Sequence, residues 1–209
     1  MTSSRRGAAA LCAVLAAAGC AARGPAAVLQ PANGVSAAQY RGFALDDDGS
    51  KHRFRAWIFA AEPDRFHLEI SGPVGGTQWI VDSGGGRLAA TWVPEAVAFV
   101  GAAGAEPMEK IVGVRAGAGD LVGALLQGRP IGGVDSMERR PAAGEGYPEM
   151  LEIRRGGRAL RLERVSMSTV PVGSRSTLGT GEPPAGIPRR PLEDIPAATS
   201  PLASPGGRS

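Results

Sequence analysis

Alternation of apolar and polar residues with a period of two is the feature that most constrains the fold of this chain. In residues 64–71, DRFHLEIS, one face of an extended strand receives Phe66, Leu68 and Ile70, and the other receives charged side chains and a histidine. A strand with this pattern is buried on one side only. Such strands are typical of antiparallel sheets with one solvated face.

Similar short segments follow one another along the chain and are separated by turn signals. The predicted strands are residues 39–46, 51–60, 64–71, 76–82, 86–92, 95–101, 131–138, 149–155 and 158–165. Asp48-Gly49 and Gly156-Gly157 stand where hairpin turns are expected, because glycine adopts the positive φ angles of these turns. Most of the chain is therefore predicted to form consecutive antiparallel strands.

The period changes to that of a helix in residues 106–114 and 120–128. Asp120 is the predicted N-cap of the second helix, and Gly128 is its predicted C-terminal stop. The sequence therefore indicates an α+β protein, mostly antiparallel β, with a short helical pair inserted between strands.

The N-terminus, MTSSRRGAAALCAVLAAAGC, combines two arginines with a short apolar run that ends at Gly19-Cys20. This pattern predicts a bacterial lipoprotein signal peptide over residues 1–19, with Cys20 acylated, for example by palmitate, after cleavage. An ordinary secretory signal with an incidental cysteine is the alternative. Ala21 follows the cysteine where Asp would favour the inner membrane, so the expected location is the periplasmic face of the outer membrane.

Composition divides the rest of the chain into three parts. Residues 20–37 are rich in Ala, Gly and Pro and are predicted to be a lipidated tether. Residues 38–195 form one predicted domain, which is long enough to bury a core. Residues 196–209 lack any period and are predicted to be a disordered tail.

Cleavage before Cys20 changes the charge and the cysteine content. The mature chain would have 209 − 19 = 190 residues, and loss of two arginines leaves 21 basic and 20 acidic residues, a net charge of +1. This balance gives no reason to expect a nucleic-acid partner. Since Cys20 carries lipid and Cys12 is removed, no disulfide, zinc site or thiol nucleophile is expected.

Catalytic motifs are also missing from the sequence. Its two histidines, His52 and His67, fall on charged strand faces and are expected to be solvated. No G-x-S-x-G nucleophile turn occurs. The glycine-rich loop at residues 72–76 precedes a strand rather than a helix, and no Lys-Ser/Thr follows it, so it is not a phosphate loop. The sequence predicts a non-enzymatic protein without metal or cofactor.

Three segments in this order resemble one known family. PDRFHLEISGPVGGTQWIVDSGGGRLA, an apolar AFVG, and DLVGALLQGRPI are similar to the outer-membrane lipoprotein-sorting family, LolB-like, within the LolA/LolB half-barrel superfamily. The resemblance covers residues 38–165 and includes the lipidation motif. It implies an antiparallel sheet curled into a half barrel, with helices over its mouth and acyl chains held on the apolar concave face.

The resemblance also implies roles for individual residues. In the family the loop after the first motif strand projects an apolar residue that helps to move lipid into the membrane, and Val74 occupies that position here. In strand 51–60, spacing alone leaves open whether Trp57 and Phe59 or Phe54 and Ile58 point inward, and the resemblance favours Trp57 and Phe59. The predicted cavity residues are Trp57, Phe59, Phe66, Leu68, Ile70, Trp79, Val81, Leu88 and Trp92.

The expected function follows from the anchor and the apolar face together. It is an outer-membrane-anchored protein that binds the acyl chains of lipoproteins or other lipids, and that accepts lipoproteins from a periplasmic carrier protein or handles another lipid. The alternative is a non-catalytic envelope scaffold or interaction lipoprotein whose sheet is packed into a filled core.

Overall fold

An antiparallel sheet dominates the computed structural model, which describes residues 35–73, 75–142, 146–170 and 178–196. Within these residues the strands number ten and belong to one sheet. The strands are β1 Val35–Leu45, β2 Lys51–Ala61, β3 Arg65–Ser71, β4 Thr77–Gly84, β5 Arg87–Trp92, β6 Val97–Ala102, β7 Ser136–Arg140, β8 Met150–Arg155, β9 Arg158–Val170 and β10 Arg189–Pro191.

Neighbouring strands in the sheet follow the order β10-β6-β5-β4-β3-β2-β1-β9-β8-β7. All of the pairs are antiparallel except β10 with β6, which is parallel. Since β10 and β7 lie at opposite edges and do not pair within the described part of the chain, the sheet is open. This confirms the predicted α+β class with mostly antiparallel strands.

Two helices connect β6 to β7: α1, Ala105–Val112, and α2, Ala118–Gln127. Both end at a glycine in the left-handed conformation, Gly113 (φ 76°) after α1 and Gly128 (φ 69°) after α2. Glycine has no Cβ to oppose this conformation, so it is favoured at helix C-termini. Short 3-10 helices also occur at Val93–Glu95 and Leu192–Asp194.

The structure differs from the sequence-based assignments at several points. The predicted strand 131–138 begins only at Ser136, as β7, and the predicted strand 158–165 continues to Val170, as β9. β1 begins at Val35, so residues 35–37 belong to the sheet and not to the predicted tether. Asp120 lies in the first turn of α2, and the N-cap is Gly117 instead. Asp120 Oδ2 accepts a hydrogen bond of 3.0 Å from the Gly117 backbone N–H. β10 was not predicted, because three residues without alternation carry no strand signal.

The main core lies on one face of the sheet, beneath α1 and α2. It contains buried apolar residues from β1 to β6 and from β8 and β9, together with both helices. We call this side of the sheet the inner face and the opposite side the outer face. Leu192 and Ile195, which follow β10, also belong to this core.

Candidate functional site

Apolar residues cross the inner face in rows that run from strand to strand. One row pairs successive strands from β2 to β6 and consists of Ile58, Leu68, Val81, Ala90 and Phe99. All of these side chains are buried. Because cross-strand apolar neighbours contact each other directly, the row forms an unbroken apolar band.

A parallel row adds the largest side chains of the inner face. Trp79 on β4 pairs with Ile70 on β3 and with Trp92 on β5. Its ring centroid lies 5.0 Å from that of Trp92 and 6.2 Å from that of Phe99. These separations are typical of favourable aromatic pairs, so the tryptophans form a rigid end to the apolar band.

The two helices cover this surface with apolar residues spaced three and four apart. α1 contributes Met108, Ile111 and Val112, and α2 contributes Leu121 and Leu125 to the same buried cluster. This spacing places the residues of each helix on one stripe that faces the sheet. α2 packs against β2 and β3.

Little space remains between the cover and the inner face. A cavity of about 30 Å³ lies there, lined by apolar side chains of β2, β3, β8, β9 and both helices. Sites for small organic ligands occupy about 300–1,000 Å³. The helices therefore fill the inner face in this structure, and an acyl chain would enter only after the cover moved.

Seven of the nine predicted cavity residues lie on the inner face or pack against its core: Phe66, Leu68, Ile70, Trp79, Val81, Leu88 and Trp92. Phe66, Leu68 and Ile70 also line the small cavity. Four further lining residues were not predicted: Leu151, Ile153, Leu160 and Leu162, which come from β8 and β9. Their own alternation, in MLEIRR and RALRL, was the signal that could have identified them.

Trp57 and Phe59 do not belong to the inner face, so their assignment to the cavity is wrong. Phe54, Ala56 and Ile58 line the cavity from β2 instead. Phe59 forms a separate buried pair with Ala37, and Trp57 packs against this pair. Alternation fixes which residues of β2 share a face, but only the packing of the neighbouring strands decides which face is inside.

The outer face holds a buried ionic cluster around His67. The imidazole Nδ1 lies 2.8 Å from Asp82 Oδ1, and Nε2 lies 3.3 Å from Glu69 Oε1. The side chain of His67 was expected to be solvated, but the residue is only 5% exposed. Trp57 covers it with an edge-to-face contact, the two ring centroids being 5.4 Å apart.

These contacts keep His67 protonated. Burial by itself lowers the pKa of the imidazole, but hydrogen bonds to Asp82 and Glu69 and their negative charges outweigh it and raise the pKa to about 9. The hydrogen bond between His67 and Glu69 also holds the pKa of the Glu69 carboxyl below its ordinary value. With both ring nitrogens engaged by carboxylates and a proton held at neutral pH, His67 is unsuited to act as a general base.

The cluster also fixes a distant part of the chain. The backbone N–H of Gly179 donates a hydrogen bond of 2.9 Å to Asp82 Oδ1. Arg65 Nη2 donates one of 2.5 Å to the carbonyl of Leu178. Leu178 packs against the buried Phe59 pair. The arrangement therefore attaches the segment that begins at residue 178 to the outer face.

Two predicted functional residues, Cys20 and Val74, lie outside the described residues. Around Val74, the Gly75 N–H donates to the Gly72 carbonyl at 3.1 Å, and Gly75 and Gly76 have positive φ angles. The flanking residues Pro73 and Gly75 are exposed. The loop between β3 and β4 is therefore a tight turn at the protein surface.

Comparison with known proteins leaves the family open. No family model matches the chain, and no curated protein matches it either. Within the described ranges, no helix has the length and apolar character needed to cross a membrane. The same residues contain no cluster of three or more His, Cys, Asp or Glu side chains suited to hold a metal ion.

Proposed function

We propose that this protein binds acyl chains on the inner face of its sheet, with the sheet acting as a half barrel and the helical pair as a displaceable cover. The observation that carries the proposal is the continuous apolar inner face, which extends from β2 to β6 and is completed by β8 and β9. Side chains of β3 and β8 line one small cavity although β2, β1 and β9 separate these strands in the sheet. This placement supports a curved sheet.

The cover has features that suit displacement. α1 and α2 have eight and ten residues, lengths at which isolated helices are marginal in water and depend on packing. Glycines bound both: Gly104 and Gly113 flank α1, and Gly117 and Gly128 flank α2. An acyl chain gains about 0.8 kcal/mol for each methylene that it buries, so a long chain can replace the contacts that the helices give up.

Membrane attachment through Cys20 completes the proposal. The acylated cysteine would hold the domain at the periplasmic face of the outer membrane, where a periplasmic carrier protein could deliver lipoproteins or another lipid. Val74 at the turn between β3 and β4 would enter the bilayer and assist release of the ligand. The support for these roles is the N-terminal motif and the exposure of Pro73 and Gly75.

The test of acyl binding compares two buried leucines in the full-length chain. Leu125 lies on α2 and lines the small cavity, whereas Leu192 follows β10, is also buried, and does not line it. Either change to Ala should lower the free energy of unfolding by about 2–5 kcal/mol. Leu125→Ala alone also loosens the cover, so it should increase the affinity for a fluorescent fatty acid several-fold, since opening the site then opposes binding less.

The measurement is a titration with the fluorescent fatty acid, combined with native mass spectrometry to detect retained lipid. Leu192→Ala serves as the control for general destabilisation. A similar change in affinity in both variants, or no binding by the unmodified protein, would contradict displacement of the cover.

A second function is favoured by one specific observation, the cavity of only about 30 Å³. A sheet whose inner face is permanently filled would serve as a non-catalytic scaffold for other envelope proteins. In that case Leu125→Ala and Leu192→Ala would both lower stability, and neither would create an acyl-binding site.

A further inference from the structure

Two arginines face each other on the outer face of the sheet. Arg41 on β1 lies directly opposite Arg55 on β2 in the strand register, and both side chains are exposed. Further along the same pair of strands, Arg53 and Lys51 continue the positive surface. Like charges directly opposite each other destabilise a sheet. On its other side Arg41 lies opposite Glu163 of β9, which offsets part of this repulsion, whereas Arg55 lies opposite Ser71 of β3.

No carboxylate of the described residues forms an ion pair with Arg41 or Arg55. The acidic residues closest in the sheet have other partners. Glu163 Oε1 lies 2.7 Å from Arg161, and Glu69 Oε1 lies 3.3 Å from His67 Nε2. Among the residues that the structure describes, neither guanidinium group has a carboxylate partner, so both are available to an anion.

The arginine pair lines a groove of about 610 Å³. Trp57 forms part of its wall and is held in place by a hydrogen bond of 3.3 Å from its Nε1 to Ser168 Oγ and by its contact with His67. Val165 adds an apolar side chain that is 61% exposed, next to the point where the register of β1 and β9 shifts. The groove thus combines two cations with a fixed aromatic ring and an aliphatic surface. Glu69 also lines it, and its carboxylate is paired with His67.

We propose that this groove binds the phosphate group of an organic phosphate, with Arg41 and Arg55 contacting the phosphate oxygens and Trp57 and Val165 contacting the attached organic part. Facing residues of paired strands have Cα atoms about 4.5–5.5 Å apart, so two long side chains can converge on one anion. One arginine suffices for the two oxygens of a carboxylate, whereas a phosphate offers further acceptors to the second. The phosphate comes either from a phospholipid head group or from a soluble phosphate ester.

The experiment uses the full chain with Cys20→Ser, so that lipidation does not contribute to membrane binding. Titration calorimetry measures binding of glycerol 3-phosphate and inorganic phosphate. Flotation measures binding to vesicles of phosphatidylcholine with and without phosphatidylglycerol. The test variant is Arg41→Gln/Arg55→Gln. The matched control is Arg140→Gln/Arg190→Gln, which removes the same charge from exposed arginines on the two edge strands.

We expect binding to be weakened at least tenfold in the groove variant and changed less than about twofold in the control. Loss of charged hydrogen bonds from two arginines should lower the affinity by more than a factor of about ten. Loss confined to glycerol 3-phosphate identifies a soluble ester as the source, and loss confined to phosphatidylglycerol vesicles identifies a lipid head group.

Equal losses in both double variants would overturn the proposal, because they would indicate diffuse attraction and no site. The proposal would also be overturned if the parent Cys20→Ser chain bound neither glycerol 3-phosphate nor phosphatidylglycerol vesicles. The groove variant should remain folded, because Arg41→Gln/Arg55→Gln removes a contact between like charges. We therefore expect it to melt at the same or a higher temperature than the parent chain.

Discussion

At the scale of single residues, His67 shows how context changes the behaviour of a side chain. Its position between Arg65 and Glu69 on a polar strand face predicts a solvated imidazole. Asp82, which comes from the next strand, and Trp57, which comes from the preceding one, instead bury it and provide a second carboxylate. Neither contact is visible in the local sequence, because both depend on the register of three strands.

The ionic cluster predicts a specific dependence of stability on pH. The pKa of His67 is about 9 in the folded protein and about 6.5 in an unfolded chain. Since the folded-state pKa is raised, the stabilisation is fully present below pH of about 6.5 and is lost as the pH rises through about 9. The free energy of unfolding should therefore fall by up to about 3 kcal/mol over this window.

Urea unfolding at several pH values measures this loss, with His67→Gln as the matched variant. The substitution keeps a polar side chain but removes the titrating group, so its stability should vary less between pH 6 and pH 9.5. Parallel curves for the two proteins would mean that the cluster does not contribute through protonation of His67.

At the scale of elements, glycine-rich turns set the positions of the strands that they connect. The loop between β3 and β4 is a tight turn whose described residues Pro73 and Gly75 are exposed. A residue at such a turn can be changed without disturbing the core. This makes Val74 a suitable position to separate ligand binding from ligand release.

Val74→Glu should bind a lipopeptide normally and release it poorly, because an ionised carboxylate resists transfer into hydrocarbon. Val74→Leu is the matched control and should release it as well as the parent or up to about fourfold faster, since one more methylene contributes about 0.8 kcal/mol. The assay loads purified protein with lipopeptide, offers it to liposomes, and measures uptake and release separately. Normal release by Val74→Glu would rule out insertion of this loop.

At the scale of the whole molecule, one apolar face is covered by the chain itself, and the outer face carries the charged groove. The covered face is the proposed acyl site, and the groove is the proposed phosphate site. Both would act next to a membrane if Cys20 is acylated. Acylation of Cys20 would therefore place both proposed sites next to the same membrane.

Cys20→Ser should convert a membrane-bound protein into a folded periplasmic one. The thiol is the proposed attachment point of the lipid, and acyl chains provide the lasting membrane affinity. Fractionation after a high-salt wash measures this, because salt removes electrostatic contacts of the arginine groove with lipid. A mutant that stays with washed membranes would show that another part of the chain holds it there.

The sequence by itself determined which segments form strands and helices, because alternation, helical spacing and turn glycines act within a few residues of one another. Nine of the ten described strands and both helices were predicted. Most of their ends agree within two residues, but β1 starts four residues earlier, β7 starts five residues later and β9 ends five residues later than predicted. Only the tertiary structure decided that Phe54 and Ile58 point inward while Trp57 and Phe59 point outward, because both faces of β2 carry large apolar side chains between residues 54 and 59.

The same holds for features that join distant segments. β10 pairs with β6 across about ninety residues of chain, and Gly179 meets Asp82 on the outer face. The filling of the inner face by α1 and α2 also depends on how closely the helices dock, which no local pattern encodes. Local chemistry therefore predicts the elements, whereas long-range packing decides which surfaces remain available to bind a ligand.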